Sequence, residues 1–472
     1  MRLSRKEKIL LIIIGIPLLI FFYSYMYHDI IETAAEGIRF WDILFSGKIC
    51  DFYHQVFLID NVQYYPQYDF PMYIIFALWN FPLWVLEKVF HSDIYHSILC
   101  MMWMKTMLLV FCGFFGASFN YLCDALNFSI SEKKIGILLF FTSGFFATSV
   151  IILGQYDIMS VILVNIGVAS YIKEKYKNFI IFFALAVPLK AFSLLIFVPL
   201  LLLKEKRIYA VVLNFLMVYL PNKFIGLIVP IQYYIPGKLH VVAGAIPDDD
   251  YNHALFPGYA VLFNHGTIAF GEVFPFIVVE IVFLLFCFAF KLKDNDLRNK
   301  WIIYVCFAAY AIQFTFAYSH PYWFVMLIPF IIIIIIQNQN HMETNIITET
   351  VLTYGMILAQ AFYFTWCFES SILNLSFWSR ILSEKDQLVS VMTVAAKYVI
   401  DERLQNYATG IGLSIYVAGL AFFAIANFPW WSAKFVDEGQ INRKIVCGVR
   451  TAAFIITVIL PMLLFFYGRI CL

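Results

Sequence analysis

Charge is scarce in this 472-residue chain: Asp, Glu, Lys and Arg make up only 13% of it, against about 25% in a soluble domain. With 62% hydrophobic residues and a mean hydropathy of +0.82, that shortage excludes a soluble enzyme and a disordered chain. A net charge of +1 provides no basic field for nucleic acid and no acidic field for cations. The nine cysteines include no CxxC pair and mostly lie in apolar runs, as Cys112, Cys287 and Cys306 do, so neither a zinc site nor a disulfide framework is indicated. Internal repeats, low-complexity tracts and a separate soluble domain are also missing. What is present in quantity is aromatic residues, 19% of the chain, and long apolar runs. The sequence reads as an all-α, polytopic membrane protein forming a single membrane domain over 1–472.

A spanning helix needs about 20 mainly apolar residues. Candidates fall near 8–27, 97–119, 135–153, 156–172, 208–228, 269–290, 300–318, 321–337, 349–368, 405–428 and 446–468. The first has a basic start (Arg2, Arg5, Lys6, Lys8) and no small-x-small cleavage site after it, the pattern of a retained signal anchor. Residues 178–203 form one apolar stretch broken at Pro188-Leu189-Lys190 and flanked by Lys173, Lys175 and Lys177 on one side and Lys204, Lys206 and Arg207 on the other. If both flanks are cytoplasmic, the stretch enters and returns as two short helices. About 12 residues rise roughly 18 Å, short of a hydrocarbon core of roughly 30 Å, which leaves Lys190 below the outer surface.

Residues 71–90 are long enough to cross but carry Pro71, Asn80, Pro82, Glu87 and Lys88. Placing them at the interface puts every basic cluster on one side, which the orientation rule prefers. The resulting expectation is about 13 transmembrane or half-spanning helices, with the amino end inside and the carboxyl end outside. The segments 28–96, 229–268 and 369–404 then share the outer face.

The candidate chemistry collects on that face. Asp29 ends the first span, and in a helix it shares a face with Glu32 at i, i+3. It reads either as a general base with a second carboxylate beside it or as a solvated acid at a span end. Gly154-Gln155-Tyr156-Asp157 joins two apolar runs with almost no loop, and is either a polar cluster facing a cavity or a tight turn in water. Lys190 is a lone cation between apolar half-helices: a contact for a lipid phosphate, or one half of an ion pair with Asp157. Lys105, inside the second span, is a weaker case of the same argument. His320, in Ser319-His320-Pro321-Tyr322-Trp323, is either a pocket residue or a surface histidine before a helix. Asp248-Asp249-Asp250, Asn252, His253, His265 and Glu272 are under-determined. Tyr64, Tyr65, Tyr68, Trp366 and Trp378 suit an interfacial belt as well as sugar stacking.

The order of these features resembles the C-type (GT-C) membrane glycosyltransferases. An acid follows the first span (Asp29), and a long outer loop holds Gly37, Phe40-Trp41-Asp42, Gly47 and Phe52-Tyr53. A Tyr-Pro element (Tyr65-Pro66) then precedes an apolar helix from Pro71-Met72-Tyr73. Gly154-Gln155-Tyr156-Asp157 looks like the family's GQ-x-D turn, and Lys190 lies in a Pro-containing break before a basic loop. The pattern covers about the first 210 residues, a catalytic module, with 211–472 as a variable transmembrane module matched only by general hydropathy and the His320 turn. Many bacterial relatives carry Tyr-Pro-Pro where this chain has Tyr65-Pro66-Gln67.

The resemblance implies an inverting, mannosyltransferase-like enzyme with its active site on the outer face of the plasma membrane. Asp29 would be the base, with Lys190 and Lys105 on the donor phosphate and Glu32, Gln155, Tyr156, Asp157 and His320 shaping the pocket. The donor would be a polyprenyl-phosphate monosaccharide, since the chain has no nucleotide-binding glycine loop, and the acceptor a glycolipid or cell-surface glycan among the membrane lipids. No cofactor is implied, and the absence of a distinct paired-acid motif leaves a divalent cation open. The competing readings are a transporter or flippase of lipid-linked glycans, which predicts charges near mid-membrane in both halves, and a glycan polymerase or ligase, which relies on arginines in a large outer loop.

Overall fold

In hydrocarbon every backbone N–H and C=O must find a partner within its own segment, so long apolar runs are forced into helices. The computed structural model describes all residues except 1–4, 61–67, 92–93, 95–96, 231, 236–237, 243–265, 269–270, 293–294, 375–377, 379–388, 400, 402, 437–441 and 472. Tyr64, Tyr65, Pro66, Asp248, Asp249, Asp250, Asn252, His253 and His265 therefore lie outside the described residues, and Glu272 is described only as part of a strand.

The first half of the chain runs through α1 (Arg5–Ser24), α2 (Asp29–Phe45), α3 (Phe52–Asp60), α4 (Phe70–Phe90), α5 (Ile98–Ala125), α6 (Ile130–Phe141), α7 (Gly144–Phe146), α8 (Ile158–Ile172), α9 (Tyr176–Ala186), α10 (Leu194–Lys204) and α11 (Ile208–Ile228). Two short antiparallel hairpins follow, β1 (Gln232–Ile235) with β2 (Lys238–Val242) and β3 (Gly266–Ile268) with β4 (Gly271–Val273). The second half holds α12 (Pro275–Ala289), α13 (Asn295–Phe316), α14 (Ile328–Gln337), α15 (Met342–Tyr363), α16 (Ser371–Asn374), α17 (Val391–Tyr398), α18 (Leu404–Ala426) and α19 (Arg443–Cys471).

Five of the described helices are long and apolar enough to cross a membrane, seven if each of two bent helix pairs is one span; five more apolar helices are only 10–17 residues long. The expected thirteen counted half-spanning helices as well, and breaks in the apolar runs are what separate the two kinds among the described residues. Several apolar runs are interrupted: 130–152 bends by 51° at Thr142-Ser143, and 321–363 by 95° at Asn338. A 15-residue helix such as α8 or α12 rises only about 22 Å. Segment 71–90 forms one continuous helix, α4, of spanning length. Its two charged side chains pair with α2: Glu87 with Arg39 at 3.2 Å and Lys88 with Asp42 at 2.8 Å. A Cβ on Gly37 would fall 2.8 Å from the Phe76 carbonyl oxygen, so the two helices approach more closely than any larger residue permits.

The stretch 178–203 does fold back. Phe179 and Phe197 stack with ring centroids 5.0 Å apart, whereas 18 residues of continuous helix would separate them by about 27 Å. The Lys204 ammonium lies over the Tyr176 ring at 4.6 Å, which brings the two basic flanks to one end of the hairpin.

The second half is held by a buried ion pair that the sequence reading did not single out. Glu349 on α15 accepts two hydrogen bonds from Arg450 on α19, from Nε at 2.7 Å and Nη2 at 3.0 Å. Arg450 also donates to the Leu139 carbonyl at 2.8 Å and to Thr142, at the bend after α6. Both charged side chains are only 3% exposed.

Two outcomes follow. In a cysteine-free background, Lys177→Cys and Arg207→Cys are both labelled by an impermeant maleimide from the same side of sealed vesicles; opposite-side labelling would contradict the fold-back. Arg450→Ala strands Glu349 and lowers stability by about 3–5 kcal/mol, read as thermal unfolding in detergent.

Candidate functional site

The turn 154–157 is built by local constraint. Before it, the 147–152 segment ends in a wide turn in which Leu153 N–H donates to the Thr148 carbonyl, five residues back, at 3.0 Å. Such turns leave neighbouring carbonyls free. Lys105 takes one of them: its ammonium is fully buried and donates to the carbonyls of Ile151 and Tyr25, both at 2.8 Å. Expected as a second phosphate contact, Lys105 instead links the ends of α1 and of the wide turn from within the core. Gly154 has φ +62°, a region that favours glycine, and a Cβ there would lie 2.7 Å from Ile30 Cδ1 and 3.3 Å from the Lys105 nitrogen.

Beyond Gly154 the side chains diverge. Gln155 is buried and donates from Nε2 to Asp29 Oδ2 at 2.7 Å. Tyr156, expected in the pocket, turns into the core: its hydroxyl bonds Thr33 at 2.6 Å and its ring meets Phe76 edge-on at 4.7 Å. Asp157 is buried and receives the Lys190 ammonium at 2.7 Å, the ion pair foreseen as the structural alternative for that lysine. The pair does not exhaust either group. Asp157 Oδ2 has no protein partner, and an ammonium has three N–H donors. Lys190 is part-exposed, with its nitrogen over the Trp323 ring at 5.0 Å.

Asp29 opens α2, where the helix N-terminus favours a negative charge. Glu32, one turn on, is held by His28 Nδ1 at 2.6 Å. The carboxyl of Asp29 is pushed up to about 6, first by burial and also by Glu32, against the opposing influence of Gln155, His28 and Lys190. It therefore remains mostly ionised at neutral pH. His320 stacks on Tyr322 at 5.2 Å and meets Trp323 edge-on at 4.8 Å. Burial and the Lys190 charge push its imidazole down to about 4, so it is neutral at physiological pH and offers hydrogen bonds rather than a proton.

Asp29, Gln155, Asp157, Lys190 and His320, which come from four separate stretches of sequence, thus meet at one end of the helices. Beside them opens a cleft of about 370 Å³ lined by Met26, Tyr27, His28, Trp366 and Glu369. Tyr27 stacks on Trp366 at 5.4 Å. Tyr68 and Tyr322 each feel the charges of both Asp29 and Asp157, so they too belong to this cluster. Tyr27 and the roles of Tyr322 and Trp323 were not singled out from sequence; their only signal was adjacency to Asp29 and His320. Among the described residues, no three His, Cys, Asp or Glu side chains gather as metal ligands. Comparison with known proteins finds no matching family model, no similar curated protein and no similar solved structure.

The electrostatics fix a direction. By infrared titration with Asp29→Asn as the reference, the Asp29 carboxyl protonates near pH 6. The midpoint moves upward in Gln155→Leu, which removes a bond to the carboxylate, and in Lys190→Met, which removes a stabilising cation; a downward move in either contradicts the assigned contacts.

Proposed function

We propose that this chain is a GT-C-like membrane glycosyltransferase that moves a monosaccharide from a polyprenyl-phosphate donor to a lipid-linked or cell-surface acceptor on the outer face of the membrane. The observation that carries the reading is the joining of Asp29, through Gln155 and the turn, to the Asp157–Lys190 pair. An ionisable carboxylate and a cation held side by side match the two needs of glycosyl transfer from a phosphate. On this reading, Asp29 accepts the proton of the acceptor hydroxyl as its oxygen attacks the anomeric carbon. The bond from that carbon to the phosphate oxygen breaks, and polyprenyl phosphate leaves with inversion. Lys190, aimed by Asp157, uses its remaining N–H donors on the phosphate as charge develops there. Neutral His320 and the aromatic rings of Tyr27, Tyr322 and Trp366 line the sugar's path. The larger count of half-spanning helices, the outward orientation and the plasma-membrane location belong to this same proposal.

A second reading is favoured by one observation. The buried Arg450–Glu349 pair puts intramembrane charge in the second half of the chain as well as the first, as a transporter or flippase of lipid-linked sugars would. The lack of internal repeats in the sequence weighs the other way.

Reconstitution separates the two. With labelled polyprenyl-phosphate sugars and a lipid extract as acceptor, Asp29→Asn lowers turnover by about 10²–10⁴ while leaving donor binding in place. Lys190→Ala weakens donor binding and lowers turnover. Wild-type transfer in Asp29→Asn removes the base assignment, and donor translocation without any glycosyl product favours the transporter.

A further inference from the structure

We infer that the neighbouring ends of α13, α15 and α18 form a binding site for a hydroxylated glycerolipid, independent of the glycosyl-transfer reading. A cavity of about 230 Å³ lies between these helices, its walls including Thr315, Tyr318, Met356, Gln360, Thr409 and Leu413. Most of its surface is apolar, yet two polar groups have no protein partner. Gln360 is 2% exposed with both amide atoms unbonded, and the Thr409 hydroxyl is likewise unbonded.

An orphaned buried amide is costly, and here the helix packing holds it in place. A Cβ on Gly412 would lie 2.6 Å from both the Gly355 carbonyl oxygen and the Ala359 nitrogen, so α15 and α18 touch backbone to backbone one turn away. The seam cannot close further to satisfy Gln360.

The chemistry of the orphans selects the ligand. The amide nitrogen of Gln360 and the Thr409 hydroxyl donate, as an ester carbonyl requires, while the amide oxygen accepts, as a hydroxyl requires. The depth agrees. Gln360 is three residues from the end of α15, about 4.5 Å, and Thr409 five residues into α18, about 7.5 Å. With the helix ends taken as the membrane surface, that depth is where lipid esters meet the hydrocarbon. The rim supplies access: of the lining side chains, Tyr363 is 53% exposed and Leu413 41% exposed. Water alone would answer these polar atoms but leave the apolar walls, most of the lining, uncovered. A bare isoprenoid chain would fill the apolar walls and leave Gln360 unanswered.

The test is photo-crosslinking of the full-length protein in nanodiscs containing phosphatidylglycerol with a diazirine beside its ester, read by peptide mass spectrometry. Wild type is labelled on 353–364 and 409–413. The near-isosteric Gln360→Met lowers that labelling at least fivefold, while labelling of the lipid-facing helix α11 stays constant. Leu413→Trp, which plugs the mouth without touching the amide, lowers it as well and decides the matter if Gln360→Met does not fold. Undiminished labelling in a folded variant, or preferential labelling by a diazirine polyprenol lacking an ester, overturns the assignment. So does labelling of the cavity no stronger than that of α11, which would mean water or bulk lipid only.

Discussion

A single charged contact, Lys190 to Asp157 at 2.7 Å, ties the tip of the α9–α10 hairpin to the turn after the bent 130–152 segment. Neither group is stable alone in an apolar surrounding, since a buried unpaired charge costs far more than the pair. Each therefore fixes the other's backbone. Because Gln155 in the same turn holds Asp29, the ion pair also registers the start of α2 against the hairpin. A buried hydrogen bond between Ser193, just past the tip, and Ser160 on α8 at 2.8 Å sets the same depth from a second point.

The supports beneath this contact are of the same kind. The wide turn before Gly154 frees a carbonyl, Lys105 consumes it, and Gly154 makes room for the lysine nitrogen. On the far side, Arg450 and Glu349 occupy the donors and acceptors exposed at the bend near Thr142. Two breaks in helices, each met by one buried basic side chain, frame the segment that carries the candidate site. Broken helices at depth persist only where protein groups satisfy them, and here the satisfying groups are named side chains.

Much of this was legible in the sequence because polar residues in apolar runs are rare enough to be noticed. Lys190 beside Pro188 announced the fold-back, and Asp29, Gln155, Asp157 and His320 stood out for the same reason. The partner assignments were less readable. Whether Lys105 faces a cavity or a carbonyl depends on a turn type that composition does not encode, and Tyr156 is indistinguishable by sequence from its neighbours in the turn. Arg450 and Glu349 went unremarked because each lies near the end of an apolar run, where a charge normally reaches water. Which apolar runs are broken was not readable, because a break costs nothing visible in a hydropathy window. Thr142-Ser143 and Asn338 are small polar residues within otherwise apolar stretches.

The most direct measurement is a double-mutant cycle between Asp157→Asn and Lys190→Met, read as thermal unfolding of the full-length protein in one detergent. The account predicts that each single change destabilises, and that the double variant recovers part of the loss, with a coupling on the order of 1–3 kcal/mol. Additive losses, with no recovery in the double variant, would mean that the two groups do not meet, and the site assembled around them would have no basis.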